Sequence, residues 1–313
     1  MQNTINYSEL RERIGKLHLK QRLNIQINHV AEAFSVNRRH LNIENMVWLH
    51  QVLYWGLRLS FMLNRGRRNA LDIQIVEHAI RLPDLPAAFD GFRILHLSDL
   101  HLDGHHDLTT ALVERLTGLE FDICVMTGDY RFLTFGPYDV VLEKMERVVK
   151  SIEKPVYGIL GNHDFVETVF PFEDLGITML LNESAEIIRE NATIHIAGVD
   201  DPYYYEVTNL EKAAMNIPEE AFSILLCHTP EPYRKAHYLD FSLMFAGHTH
   251  GGQLCLPGGI AVITNSNCPR QYTKGAWQYE NLQGYTSRGI GSSGLFVRFN
   301  CPPEIIIHTL HCA

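Results

Sequence analysis

Five short apolar runs in this 313-residue chain each stop at residues able to bind a metal, and that recurrence narrows the folds open to it. FRILHLS runs into Asp99 and His101, FDICVMTG into Asp129, PVYGILG into Asn162 and His163, FSILLC into His228, and FSLMFAG into His248 and His250. Short runs rich in Val, Ile and Phe read as buried strands, although periodicity alone does not separate them from buried helix. In open α/β sheets, ligands collect beyond the carboxyl ends of strands, so five such ends would bring these side chains into one crevice. Singly, each has an ordinary reading: Asp99 and His101 as a strand-end turn with a surface histidine, His228 as a satisfied core histidine. Together they have the composition of a two-metal site.

Between the runs the sequence alternates. ALVERLTGL (111–119), VVLEKMERVVKSI (140–152) and NLEKAAMNI (209–217) space their apolar residues as amphipathic helices do. LDIQIVEHAIRL from Leu71, EIIR (186–189), TIHIAGV (193–199), GIAVIT (259–264), GLFVRF (294–299) and EIIIHTL (304–310) read as further strands. The class is α/β. Hydrophobic content of 46% and charged content of 20% are globular values and exclude wholesale disorder. A net charge of -9 gives no global field for nucleic acid, so no nucleic-acid partner is expected. Six cysteines without a C-x-x-C pair, and a polar first twenty residues without an export pattern, predict a cytoplasmic protein.

Residues 1–69 differ in character from residues 70–313, and we expect an N-terminal helical segment ahead of one catalytic domain. MVWLHQVLYWGLRLSFML (46–63) is amphipathic on a helix, and residues 38–68 carry six arginines (Arg38, Arg39, Arg58, Arg65, Arg67, Arg68) against the single acid Glu44. One reading is a helix lying on an anionic membrane surface, with Trp, Leu and Phe in the acyl boundary and arginines at the headgroups. The other is a helix packed on the catalytic domain or a second subunit. A spanning helix is disfavoured by its short length and by Arg58.

The blocks D-L-H (99–101), G-D (128–129), G-N-H-D (161–164), His228 and G-H-T-H (247–250), in this order, resemble the calcineurin-like metallophosphoesterase superfamily from roughly residue 70 onward. G-D-Y-R-F-L-T-F-G (128–136), G-V-D-D-P (198–202) and G-H-T-H-G-G-Q (247–253) look like a bacterial branch, some of whose members act at membranes or on lipid A precursors such as UDP-diacylglucosamine. The resemblance implies a four-layer sandwich of two mixed β-sheets flanked by helices. It implies two divalent ions (Mn, Fe or Zn), one on Asp99, His101, Asp129 and His250, the other on Asp129, Asn162, His228 and His248. Asp129 would bridge them. A metal-bridging hydroxide would attack phosphorus in a phosphoester or pyrophosphate, with a lipid-linked substrate as the leading reading. His163 would serve the leaving oxygen as a non-ligand, with Asp164 orienting its imidazole by hydrogen bond.

Mixed carboxylate, amide and imidazole donors without thiolates suit such borderline or harder cations. The alternatives are hydrolysis of soluble nucleotides or cyclic phosphodiesters, and a non-catalytic membrane scaffold, which loss of ligands would favour. Arg131 is a candidate phosphate clamp or a surface ion pair. Tyr203, Tyr204 and Tyr205 form an acyl or sugar platform or a half-buried edge. Asp200 and Asp201 shape a turn before Pro202, His105 and His106 form a loop pair, and GIGSSG (289–294) makes a tight loop without a P-loop lysine.

Overall fold

Strict alternation along the ligand-bearing strands decides the layering. The computed structural model describes residues 6–33 and 47–313, so Arg38, Arg39 and Glu44 lie outside the described residues. In chain order the strands are β1 (Gln74–Leu82), β2 (Phe92–Leu97), β3 (Ile123–Met126), β4 (Val156–Gly158), β5 (Ile177–Met179), β6 (Glu183–Arg189), β7 (Ala192–Gly198), β8 (Ser223–Leu226), β9 (Leu243–Ala246), β10 (Cys255–Leu256), β11 (Ile260–Ala261), β12 (Gly275–Tyr279), β13 (Leu282–Thr286) and β14 (Glu304–Cys312). They build two six-stranded sheets, β1-β14-β2-β3-β4-β5 and β12-β13-β9-β8-β7-β6, beside the small β10–β11 hairpin. Within the first, β2 through β5 run parallel and β14 opposes β2. In the second, β13, β9, β8 and β7 run parallel, with antiparallel β12 and β6 at the edges.

Strands β2, β3, β8 and β9 bury both faces, one against the other sheet and one against helices. Ile94, Val125, Ile224, Leu226, Leu243 and Phe245 meet between the sheets. Their neighbours Leu95, Cys124 and Met126 face one helical layer, and Leu225, Met244 and Ala246 face another. The result is the expected four-layer sandwich. The ligand-bearing runs are nevertheless split between two sheets, β2, β3 and β4 in one and β8 and β9 in the other. The crevice is thus formed by two stacked sheets ending together, not by a single sheet.

The helices are α1 (Tyr7–Ile14), α2 (Lys16–Ala33), α3 (Val47–Leu59), α4 (Leu63–Leu71), α5 (Leu108–Leu116), α6 (Asp139–Lys150), α7 (Val169–Asp174), α8 (Leu210–Ala214) and α9 (Tyr233–Tyr238). The segment before residue 70 does not all stand apart. Leu10, Ile14 and Leu19 are buried in the same cluster as Met145, Val148 and Phe172. Arg13 is bonded at 2.8 Å to each of Glu173 and Glu183, and Tyr7 donates to Glu167. By contrast α3 leaves Val52, Trp55 and Leu59 exposed. No helix among the described residues is long and apolar enough to cross a membrane.

One expected strand is missing. Residues 294–299 make an isolated bridge between Phe299 and Leu254 instead of a ladder. Their backbone is taken by other partners: Arg298 donates its N–H to Gly66 and accepts from Asn69 of α4, and Phe299 donates to Gln253. Residues 259–264 form a strand only at Ile260–Ala261.

Leu10 is fully buried beneath α1, so Leu10→Ala removes apolar contacts and leaves a cavity, at a cost of about 2–5 kcal/mol. Urea unfolding measures this, and a cost near zero would mean that α1 does not belong to the folded core.

Candidate metal centre

Backbone geometry marks the strand ends before any side chain is considered. Asp99 (φ 50°), His101 (φ 42°), Asp129 (φ 57°), His248 (φ 68°) and His250 (φ 49°) are all left-handed. Non-glycine residues held there cost on the order of 1–3 kcal/mol each, and such strain gathers where function demands a geometry. Gly161 lets two of the loops touch: a Cβ at this position would lie 2.2 Å from Asp129 Oδ1.

All seven proposed ligands converge. Asp99, His101 and His250 bring ligand atoms within 4.8 Å of one another, as do Asp129, His228 and His248. Asp129 joins the two groups. Its Oδ2 lies 3.3 Å from His228 Nε2 and 3.8 Å from His101 Nε2. Asn162 Oδ1 lies 3.0 Å from His228 Nε2 and 2.9 Å from His248 Nδ1. His101 Nε2 and His250 Nε2 are 3.2 Å apart. Carboxylates, an amide oxygen and imidazole nitrogens aimed at common points, all buried, are a donor set for borderline or hard divalent cations.

The outer ring nitrogens are anchored, which fixes the inner ones. His101 Nδ1 is bonded to the Arg131 carbonyl, His228 Nδ1 to that of Thr127 and His248 Nε2 to that of Asn265. Since a carbonyl only accepts, each anchored nitrogen carries a proton, and each ring in its neutral form turns a lone pair inward. Burial, reinforced by His163, lowers His101 to about 4, and burial with His101 and Arg298 holds His250 well below the usual range. His228 goes the other way. Burial would lower it, but the carboxylates of Asp129 and Asp99 raise it well above the ordinary value.

His163 sits beside these residues, its Nε2 3.9 Å from Asp129 Oδ2. Its Nδ1 lies 2.7 Å from the Phe132 carbonyl, so a backbone group, and not the expected Asp164, orients the ring. The Asp164 carboxylate accepts instead from the amides of Asp129, Tyr130, Arg131 and Gly161. This pins the loop after β3 to the loop after β4. Burial and the neighbouring Asp129 raise Asp164 to about 6, against the pull of these amides. Arg131, read as a phosphate clamp or a surface ion pair, is instead buried: its side chain stacks 3.9 Å from the Phe165 ring and donates to Phe135 and Gly136.

Behind Asp99 runs a row of groups that its motif does not reveal. Ser98 Oγ donates to Asp99 Oδ2 at 2.6 Å and Thr127 Oγ1 donates to Ser98 at 2.7 Å. His96 Nε2 follows at 2.9 Å from Thr127, then His308 Nε2 at 3.3 Å from His96 Nδ1, then His78 Nδ1 at 3.0 Å from His308 Nδ1. Burial keeps these rings neutral, with His96 lowered to about 3 and His308 well below its usual value. Burial raises the Asp99 carboxyl; in its ionised form Asp99 only accepts, and the steps then require His96 and His308 to carry their proton on Nε2 and His78 on Nδ1.

A profile of the calcineurin-like phosphoesterase family matches residues 92–252, half of the chain. The chain belongs to this family. The uncharacterized metallophosphoesterase YkuE of Bacillus subtilis is 30% identical over 249 residues, covering 76% of this chain and 85% of its own. Phosphodiesterase YaeI of Escherichia coli is 28% identical over 234 residues, covering 68% and 80%. UDP-2,3-diacylglucosamine pyrophosphatase LpxG of Chlamydia trachomatis is 24% identical over 293 residues, covering 72% and 85%. This metallophosphoesterase is accordingly a metal-dependent phosphoester hydrolase.

The metallophosphoesterase motifs do not include Arg22, which sequence reading missed. From α2 it reaches behind the G-N-H-D loop, donating to the carbonyl of Asp164 at 2.8 Å and lying 3.4 Å from that of Gly161. Its guanidinium pairs with Asp200, which His18 also contacts at 2.6 Å, and lies 3.9 Å over the Tyr205 ring. Tyr205 is therefore core, while Tyr203 packs 5.1 Å from the His248 ring. Asp201 shapes a turn, but one that follows Pro202 instead of preceding it, accepting from the amides of Tyr204 and Tyr205.

Burial raises the Asp200 carboxyl, but Arg22 and His18 outweigh it and leave it below the usual range. A depressed folded value means that the pair stabilises above the unfolded carboxylate value near ~4 and that this is lost as pH falls through the lower folded value. Hydrogen exchange of α2 should therefore stay slow at mildly acidic pH and quicken only below it. Asp200→Asn should exchange faster at neutral pH and lose that acid-dependent step; a wild-type profile in the variant would disprove the linkage.

Proposed function

We propose that the chain binds two divalent cations, Mn, Fe or Zn, and cleaves a phosphoester or pyrophosphate bond in a lipid-linked substrate. The observation that carries the two-ion reading is the Asp129 carboxylate, within reach of ligands from both groups. One ion would be held by Asp99, His101, Asp129 and His250, the other by Asp129, Asn162, His228 and His248. When bound, such a pair supplies Lewis acidity toward phosphoryl oxygens and lowers the pKa of water to near neutrality.

The protein's own groups do the rest. Left-handed strand ends and anchored imidazoles fix the donors in advance, so little reorganisation accompanies reaction. His163 gives a proton from Nε2 to the leaving oxygen, its ring held by the Phe132 carbonyl. Asp164 acts as a positioning residue that ties Asp129 to Gly161. The substrate reading draws support from the diacylglucosamine substrate in the name of the relative LpxG, and from exposed Trp55 and Leu59 on α3 with Arg58, Arg65, Arg67 and Arg68 nearby. These features and six free cysteines fit a protein at the cytoplasmic face of a membrane.

Manganese-loaded protein should hydrolyse p-nitrophenyl phosphate or its bis ester. His163→Ala should keep both metals by elemental analysis yet lose about 10²–10⁴-fold in turnover, whereas Asp129→Asn should lose metal as well. Undiminished turnover in His163→Ala removes its role as the acid. In a separate measurement, co-sedimentation should be stronger with anionic than with neutral liposomes; equal recovery with both removes the electrostatic part of the membrane reading.

A further inference from the structure

An apolar groove opens directly from the metal centre. About 400 Å³ in volume, it runs between Leu53 of α3 and the wall formed by Leu254, Val262, Ile263 and Leu295, and the buried rings of His248 and His250 also line it. That is within the size range of small-molecule sites. The wall is joined rigidly to the centre. His248 Nε2 is bonded to the Asn265 carbonyl, two residues beyond Ile263. Gly252, φ 88°, follows the second ligand histidine and lies so close to the hairpin that a Cβ there would approach Ala261 Cβ to 2.5 Å.

Polar groups along the groove are largely committed elsewhere. Gln253 donates its amide to the carbonyls of Ser293 and Leu295 and accepts from Ser293 N–H. Thr249 donates to the Thr273 carbonyl. A sugar or base lying here would forfeit hydration without gaining hydrogen bonds from these side chains, whereas a hydrocarbon forfeits nothing. Apolar surface also continues outward: Ile263 is 47% exposed and Val262 55%, with Leu256 and Ile260 exposed on the β10–β11 hairpin and Trp55 on α3.

We propose that this groove holds an acyl chain of the substrate whose phosphate lies at the metal centre. The inference rests on the phosphohydrolase reading and adds the place and chemistry of a second subsite. The phosphate would lie at the centre beside His248 and His250 of the G-H-T-H block while the chain extends between α3 and the hairpin toward the exposed apolar rim. Length of the hydrocarbon, more than headgroup identity, then governs affinity through this subsite.

Alkylphosphonates test this, since their P–C bond resists hydrolysis and binding is read without turnover. With manganese-loaded full chain, calorimetry below the aggregation limit of each ligand should give at least about 100-fold tighter binding of dodecylphosphonate than of ethylphosphonate, from burial of methylenes. Ile263→Glu should reduce that gain to less than about tenfold. Val140→Glu, which charges a similarly exposed apolar residue on the remote helix α6, should retain it; matched thermal unfolding midpoints establish that both variants are folded. No gain with chain length, or the full gain in Ile263→Glu, overturns the proposal. Turnover of ethyl 4-nitrophenyl phosphate by wild type is scored separately: its absence alongside a chain-length gain overturns the hydrolase reading and leaves the groove as a site for an apolar chain.

Discussion

Charge buried without a partner is among the most expensive things a protein can contain, and this one buries Asp99, Asp129, Asp164, Asp200 and Asp201 together. Asp201 takes backbone amides as Asp164 does, and the others have different partners. Asp164 takes backbone amides, Asp200 takes a guanidinium, and Asp129 faces imidazoles. These compensations explain much of the architecture around the centre. The loops after β3 and β4 lie together because they share the Asp164 carboxylate, and α2 lies against them because Arg22 satisfies both Asp200 and the loop carbonyls. What is left over, an open set of inward-facing lone pairs and carboxylate oxygens, is the part able to receive cations.

The convergence of the seven candidate ligands was legible because the signal is local: each strand is announced by its own apolar content, and each candidate follows within a few residues of a strand end. The order of the blocks carried the family. Partnership between strands was not legible, since a run buried on both faces looks the same in either sheet; hence five ends in one crevice became ends from two sheets. Residues 294–299 look like a strand in composition, yet their amides and carbonyls are claimed by Gly66, Asn69 and Gln253, which no local pattern encodes.

Arg22 and Asp164 show the same limit in side chains. Arg22 stands in a polar helix and meets Asp200 across 178 residues, so in sequence it looks like one solvated charge among many. Asp164 adjoins His163 in the chain, which invites pairing them, but adjacent side chains here point to different neighbours. The signal available in hindsight was the G-V-D-D-P block: two acids ending an apolar strand require a cation somewhere, and α2 supplies it. The family profile begins at residue 92, yet this contact makes the N-terminal helices part of the support of the centre.

The histidine row behind Asp99 has a further property. His96 and His308 each give one proton and take one, and His78 gives one, so with Asp99 ionised the row has a polarity set at its inner end by a carboxylate that only accepts. Reversing His96 or His308 alone, both fully buried, forces donor against donor at one side and acceptor against acceptor at the other. The two buried imidazoles therefore switch together or not at all, and the hydrogen-bonding state of a carboxylate at the centre is passed on to the half-buried His78, on the outermost strand of the sheet.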